Sequence, residues 1–109
     1  MEFWGVEVKS GTPLKVKPEE GMVIHLSQAS MGEVKANKTE SVNLFINVDG
    51  KKLVLGTLLS DKLPQQLFDL VFDRDFELSH NSKSGSIYFF GYKGDNQPGE
   101  YPLISIYIL

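Results

Sequence analysis

Apolar and polar residues alternate along most of this chain in short runs, and the runs are separated by Gly, Pro, Asn and Asp. A period of two sends successive side chains to opposite faces, so each run reads as a half-buried β-strand. No window sustains the 3.6-residue repeat of an amphipathic helix. The clearest pairing spans Ser41 to Leu59, where Val42, Leu44, Ile46 and Val48 alternate with Asn43, Phe45 and Asn47. Asp49-Gly50 then precedes Lys51-Lys52-Leu53-Val54-Leu55. Asp-Gly between alternating runs is a hairpin signal, because both central positions of that two-residue turn need positive φ. Further strands are expected at Phe3 to Val8, Leu14 to Lys17, Met22 to Ser30, Leu67 to Phe72, Asp75 to His80, Ser86 to Tyr92 and Leu103 to Leu109. About eight short strands with turn signals at this spacing predict an all-β domain, a β-sandwich or a jelly-roll barrel.

Two runs carry more apolar surface than a half-buried strand requires. Leu53-Val54-Leu55-Gly56-Thr57-Leu58-Leu59 and Ile87-Tyr88-Phe89-Phe90-Gly91-Tyr92 each read as apolar on both faces. One face can line the core, and the other must also leave water, most simply against a second copy of the chain. The opening, Met1-Glu2-Phe3-Trp4-Gly5, points the same way: it holds the only Trp and a Phe where termini are usually polar, so it is expected to be a docked strand. Glu2, Glu7 and Lys9 interrupt it too often for a signal-peptide core.

Composition narrows the function classes. A chain of 109 residues is one domain, and no apolar run approaches the length of a membrane span. The absence of cysteine removes disulfides, thiolate metal sites and cysteine nucleophiles, and suits a reducing compartment. A net charge of −3 with pI near 5.3 argues against nucleic acid as a direct ligand and favours basic partners.

Candidate chemistry is sparse. His25 in Val23-Ile24-His25-Leu26-Ser27 is expected on the face opposite Ile24 and Leu26, and His80 falls in a turn-rich segment. Asp69 opposes the face of Phe68, Leu70 and Phe72, as a buried partner for His25 or as an interface polar group. Two His and no Cys do not make the usual three-ligand zinc site, so no metal or other cofactor is expected. No HExxH, GxSxG or phosphate-binding glycine loop is present. Asp69, Asp73, Asp75 and Glu77 gather around one turn and Glu19-Glu20 occupy another. Carboxylates on loops at one barrel end would attract a lysine-rich partner, although exposed charges are each worth little.

Four segments carry a family resemblance. Glu2-Phe3-Trp4-Gly5-Val6-Glu7-Val8-Lys9, Val23-Ile24-His25-Leu26-Ser27-Gln28-Ala29-Ser30, Leu53-Val54-Leu55-Gly56-Thr57-Leu58, and Phe68-Asp69-Leu70-Val71-Phe72-Asp73 through Phe76-Glu77-Leu78-Ser79-His80 stand in the order and near the spacing of the plant-specific HD-tuin histone deacetylases. The chain resembles their N-terminal, nucleoplasmin-like domain from Met1 to about Lys93. A similar domain opens certain nuclear FK506-binding immunophilins, but Phe68 to His80 is closer to the HD-tuin pattern.

The resemblance implies an eight-stranded jelly roll of nucleoplasmin type over residues 1–93, assembled as a homopentamer that can pair into a decamer. Residues 94–109 would be a C-terminal extension forming an extra strand or an exposed edge. It also implies histones and other histone deacetylases as partners, a chaperone-like role in chromatin regulation and transcriptional repression, and a nuclear, nucleolar address. His25 and Asp69 match the family's proposed deacetylase residues. Glu2, Phe3, Trp4 and Gly5 match the motif linked to repression and deacetylase recruitment. Family members continue into an acidic tract that this apolar ending lacks, which would weaken histone attraction. Three functions therefore stand: an oligomeric histone-binding module, favoured on composition; an intrinsic lysine deacetylase using His25 and Asp69; and a structural oligomerisation domain that recruits partner proteins.

Overall fold

The computed structural model describes residues 1–32 and 39–96, and within them every regular element is a strand. In chain order these are β1 (Glu2–Lys9), β2 (Leu14–Val16), β3 (Met22–Met31), β4 (Ser41–Val48), β5 (Lys51–Leu59), β6 (Gln65–Phe72), β7 (Phe76–His80) and β8 (Ser86–Asp95). The strands expected from alternation within the described residues are all present, with ends shifted by a few residues. The expected strand at Leu103 to Leu109, and nearly all of the C-terminal extension, lie outside the described residues.

The strands form two four-stranded antiparallel sheets, in the orders β1-β8-β3-β6 and β2-β7-β4-β5. Successive strands mostly lie in opposite sheets, an interleaving that makes the fold an eight-stranded jelly roll. The direct hairpin is β4–β5, where Asp49 (φ 53°) and Gly50 (φ 79°) both take the left-handed conformation that the turn demands.

The core is the space between the sheets. Val8, Leu26, Ala29, Phe72, Ile87 and Phe89 enter from the first sheet, and Val42, Leu44, Ile46, Leu58, Phe76 and Leu78 from the second, all buried. The rings of Phe72 and Phe76 stack across the β6–β7 turn with centroids 4.4 Å apart.

Two β-bulges decide which faces are apolar. In β3 the register shifts between Leu26 and Gln28, leaving Ser27 as the extra residue against β8. Opposite the shift lies Gly91, where any Cβ would collide with the carbonyl oxygen of His25. In the β4–β5 pair Leu44 opposes Gly56 and Phe45 opposes Val54, so Leu55 is the extra residue. The bulge turns Leu53, Leu55 and Leu58 all toward the core, leaving Val54 and Thr57 exposed. The expectation that this strand is apolar on both faces is therefore corrected. It holds for β8, whose Ile87 and Phe89 are buried while Tyr88, Phe90 and Tyr92 lie on the other side, half-buried.

Candidate functional site

Strand register assembles the outer face of the first sheet into rows. Phe3, Tyr92, His25 and Val71 are successive partners across β1, β8, β3 and β6. The next row is Gly5, Phe90, Gln28 and Leu67, and the one after it Glu7, Tyr88, Ser30 and Gln65. Phe3 is 75% exposed and Leu67 77% exposed, among the most solvated large apolar side chains of the described residues. The rings of Phe3 and Phe90 lie 6.1 Å apart, and a Cβ on Gly5 would press against both at 3.2 Å. The opening segment is thus docked as a strand, but only Trp4 reaches the core side, and Phe3 stands in water on the isolated chain.

His25 and Asp69 sit within this face and meet. His25 Nε2 donates to Asp69 Oδ1 at 2.7 Å, and the imidazole packs on the Tyr92 ring with centroids 4.4 Å apart. Val71, its partner in register on β6, is buried beside it. Asp69 is not the buried group that strand alternation allowed: its side chain is 90% exposed, against 15% for His25. The two ring nitrogens are therefore unequal. Nε2 is held by Asp69, while Nδ1 is buried without a hydrogen-bond partner among the described residues. A general base needs its free nitrogen within hydrogen-bond reach of a substrate proton, and here the nitrogen not held by the carboxylate faces protein. Among the described residues no third His, Cys, Asp or Glu joins the pair in a group able to hold a metal, so the donor set does not fit a zinc site. His80 has a structural place: it is buried, with Nε2 donating to the carbonyl of Val8 at 2.7 Å and Nδ1 accepting from the N–H of Ser82 at 3.1 Å.

The acidic residues converge at one end of the barrel. Register brings the β2–β3, β4–β5 and β6–β7 connections together there, with Glu2 and Asp95 at the adjoining strand ends. Glu2, Glu19, Glu20, Asp49, Asp73, Asp75 and Asp95 are all exposed on it. Two cations are tied into the same rim. Arg74 reaches Asp49 at 2.9 Å and Asp73 at 3.2 Å; Lys93 reaches Glu2 at 3.4 Å and Glu19 at 3.6 Å. Both pKa values are raised, Arg74 chiefly by its hydrogen bond to Asp49 and Lys93 chiefly by its hydrogen bond to Glu2. The other carboxylates of this end have no cation within ion-pair distance among the described residues. Leu67 was missed as a surface feature by sequence reasoning; its signal was an apolar residue on the Asp69 side of β6.

A family model described as the nucleoplasmin-like domain matches residues 3–93. The chain is 75% identical over 96 residues to histone deacetylase HDT1 of Solanum chacoense, covering 88% of this chain and 36% of that protein. It is 58% identical over 96 residues to histone deacetylase HDT1 of Arabidopsis thaliana, covering 88% of this chain and 39% of that protein. The chain thus spans little more than a third of the length of these curated relatives. Among solved structures, the Drosophila NLP core, described as giving insight into pentamer formation and histone binding, superposes with a TM-score of 0.71 at 18% identity over 87% of this chain and all of that one. The nucleoplasmin-like N-terminal domain of Drosophila FKBP39 gives a TM-score of 0.63 at 21% identity, over 90% of this chain and 93% of that one.

Proposed function

The chain belongs to the nucleoplasmin-like domain family, its close relatives being plant HDT histone deacetylases, and from that premise we propose that it is a self-assembling, histone-binding module. The outer face of the first sheet carries this reading. Phe3, Phe90, Tyr92 and Leu67 fall on adjacent rows of one sheet, two of them more than 70% exposed. Burying a fully exposed Phe or Leu side chain is worth about 1.5–3 kcal/mol, so a second copy placed on this face would be held by these residues first. Five copies are expected, since the Drosophila NLP core is described in terms of a pentamer; a face-to-face decamer is the larger form.

The acidic barrel end is the histone-facing surface of this proposal. Five copies arranged around an axis would place their acidic ends side by side, and a ring of carboxylates attracts basic tails far better than one set does. On this reading the chain acts in chromatin regulation and repression in the nucleus, the nucleolus included, recruits other histone deacetylases through Glu2, Phe3, Trp4 and Gly5, and requires no metal or cofactor. Native mass spectrometry at moderate salt, followed by titration with purified core histones, tests it. Five or ten copies that bind histones with strong salt dependence support the proposal; a stable monomer, or a ring indifferent to histones, overturns the corresponding half.

One observation favours a second reading, an intrinsic deacetylase: His25 and Asp69 meet at 2.7 Å, the geometry of an oriented imidazole. A His25→Ala variant separates the two readings. Loss of deacetylation by the purified ring with its mass unchanged supports catalysis, and loss of the ring itself supports a packing role.

A further inference from the structure

The outer face of the second sheet holds a feature that self-assembly and histone binding do not use. Most outward positions there are polar, with Asn43 and Asn47 flanking Phe45 on β4. Phe45 breaks that pattern, and its cross-strand partner is Val54, 65% exposed. The ammonium of Lys52 lies 4.4 Å from the Phe45 ring centroid, a cation–π contact that holds the charge over an apolar floor. The connection after β1 rises beside this floor and borders an open cleft of about 220 Å³, lined among others by Lys9, Thr12, Phe45, Lys52 and Ser79. Lys9 and Lys52 are its charged groups apart from His80, whose ring nitrogens are both engaged. Neither lysine has a carboxylate within ion-pair distance among the described residues. A chain with net charge −3 thus presents here a recess lined by two lysines and by no carboxylate.

We propose that this cleft is a binding site for an acidic peptide segment of a partner protein, seating one aliphatic side chain on the Phe45 ring, with Val54 beside it across the strand pair, between carboxylates that meet Lys9 and Lys52. Charge complementarity selects the acidic flanks. The apolar floor selects a peptide over a bare anion, because a phosphate would leave ring and methyl groups in water while gaining only two exposed ammonium contacts. Exposed charge pairs are individually weak, so affinity near 0.1 mM is the expected range and it falls with salt.

The test uses the assembled protein and a fluorescein-labelled synthetic peptide with one leucine flanked on both sides by glutamates, followed by anisotropy at low and moderate salt. Binding should weaken about tenfold in the double variant Lys9→Glu, Lys52→Glu, and also when the peptide leucine is replaced by serine. A Lys51→Glu, Lys62→Glu control changes net charge equally away from the cleft and should leave binding within about twofold. All four lysines carry solvated heads, so circular dichroism and native mass should match the parent protein. Equal loss in the control, indifference to the leucine, full competition by millimolar inorganic phosphate, or no binding by the parent protein would each overturn the proposal. The outcome does not depend on histone binding, which uses the opposite charge sign.

Discussion

The two sheets share one core and obey the same alternation, yet their outer faces differ in what they ask of water. Apart from the Phe45–Val54 pair, the second sheet presents polar groups such as Asn43, Asn47 and Thr57, with Thr57 donating to Asn43 at 3.0 Å, a surface that solvent largely satisfies. The first presents Phe3, Phe90, Tyr92 and Leu67, a surface that solvent does not. Inward residues of both sheets are equally apolar, so fold and stability come from what the sheets have in common. The proposed assembly rests on where they differ, and an outward position carries information about partners that an inward position cannot.

Two glycines test how far that contrast is built into the backbone. At Gly91 in the first sheet an added Cβ meets the main-chain oxygen of His25 across the β3 bulge, and neither strand can withdraw without losing its ladder. Gly91→Ala should cost about 3 kcal/mol or more and drop the yield of folded protein, measured by urea denaturation. At Gly56 in the second sheet the obstacle is the Gln66 side-chain amide, whose bond to the Leu55 carbonyl spans 3.4 Å. A flexible amide can turn away, so Gly56→Ala should cost about 1 kcal/mol. Equal losses at the two sites would show that the β3 bulge is not a fixed feature.

Matched charge insertions then address the faces directly. Phe3→Asp with Phe90→Asp should convert the proposed assembly to monomer on native mass spectrometry while circular dichroism keeps its β signature, because both rings lie outside the core. Phe45→Asp with Val54→Asp on the second sheet should leave the copy number unchanged. Dissociation by the second pair and not the first would reverse the assignment of the assembly face.

Much of this was legible in the sequence, for physical reasons that name its limits. Period-two alternation located the strands, and Asp49-Gly50 located the hairpin, since both signals are local. Alternation also put His25 and Asp69 on non-core faces, but their 2.7 Å contact depends on β3 and β6 pairing across the sheet, which spacing along the chain does not encode. The apolar excess of Leu53 to Leu59 was misassigned to two faces because a single bulge residue, Leu55, shifts the alternation by one. The convergence of Glu19, Asp49 and Asp73 at one end was foreshadowed by their turns, yet became definite only once register aligned the turns.

Within the first sheet, His25 and Asp69 should be unequal. His25→Ala removes a largely buried ring from between Tyr92 and Asp69 and should cost about 1–3 kcal/mol, read as a lowered urea midpoint with an unchanged slope. Asp69→Asn keeps a carbonyl acceptor for the Nε2 proton at an exposed site and should change stability by about 0.5 kcal/mol or less. A larger loss at Asp69 would mean that the carboxylate charge, and not the hydrogen bond, organises the face.

The smallest effect is expected at the acidic end, where Lys93 ties β8 to Glu2 and Glu19. Its pKa is raised, first by the hydrogen bond to Glu2, then by the charges of Glu2 and Glu19, with desolvation opposing. A raised lysine pKa means that folding favours the protonated form, so the contribution is fully present below the ordinary lysine value of about 10.4 and is lost as pH rises through the higher folded-state value. Arg74, bonded to Asp49 and Asp73, keeps its charge across the same interval. Stability of the parent protein minus that of Lys93→Met should therefore be small and flat from neutral pH to about pH 10, then shrink, whereas the difference for Arg74→Met should stay level. A difference for Lys93 that grows in alkali would carry the wrong sign for a pair held by the protonated ammonium, and would place the stabilisation in the packing of its methylene stem.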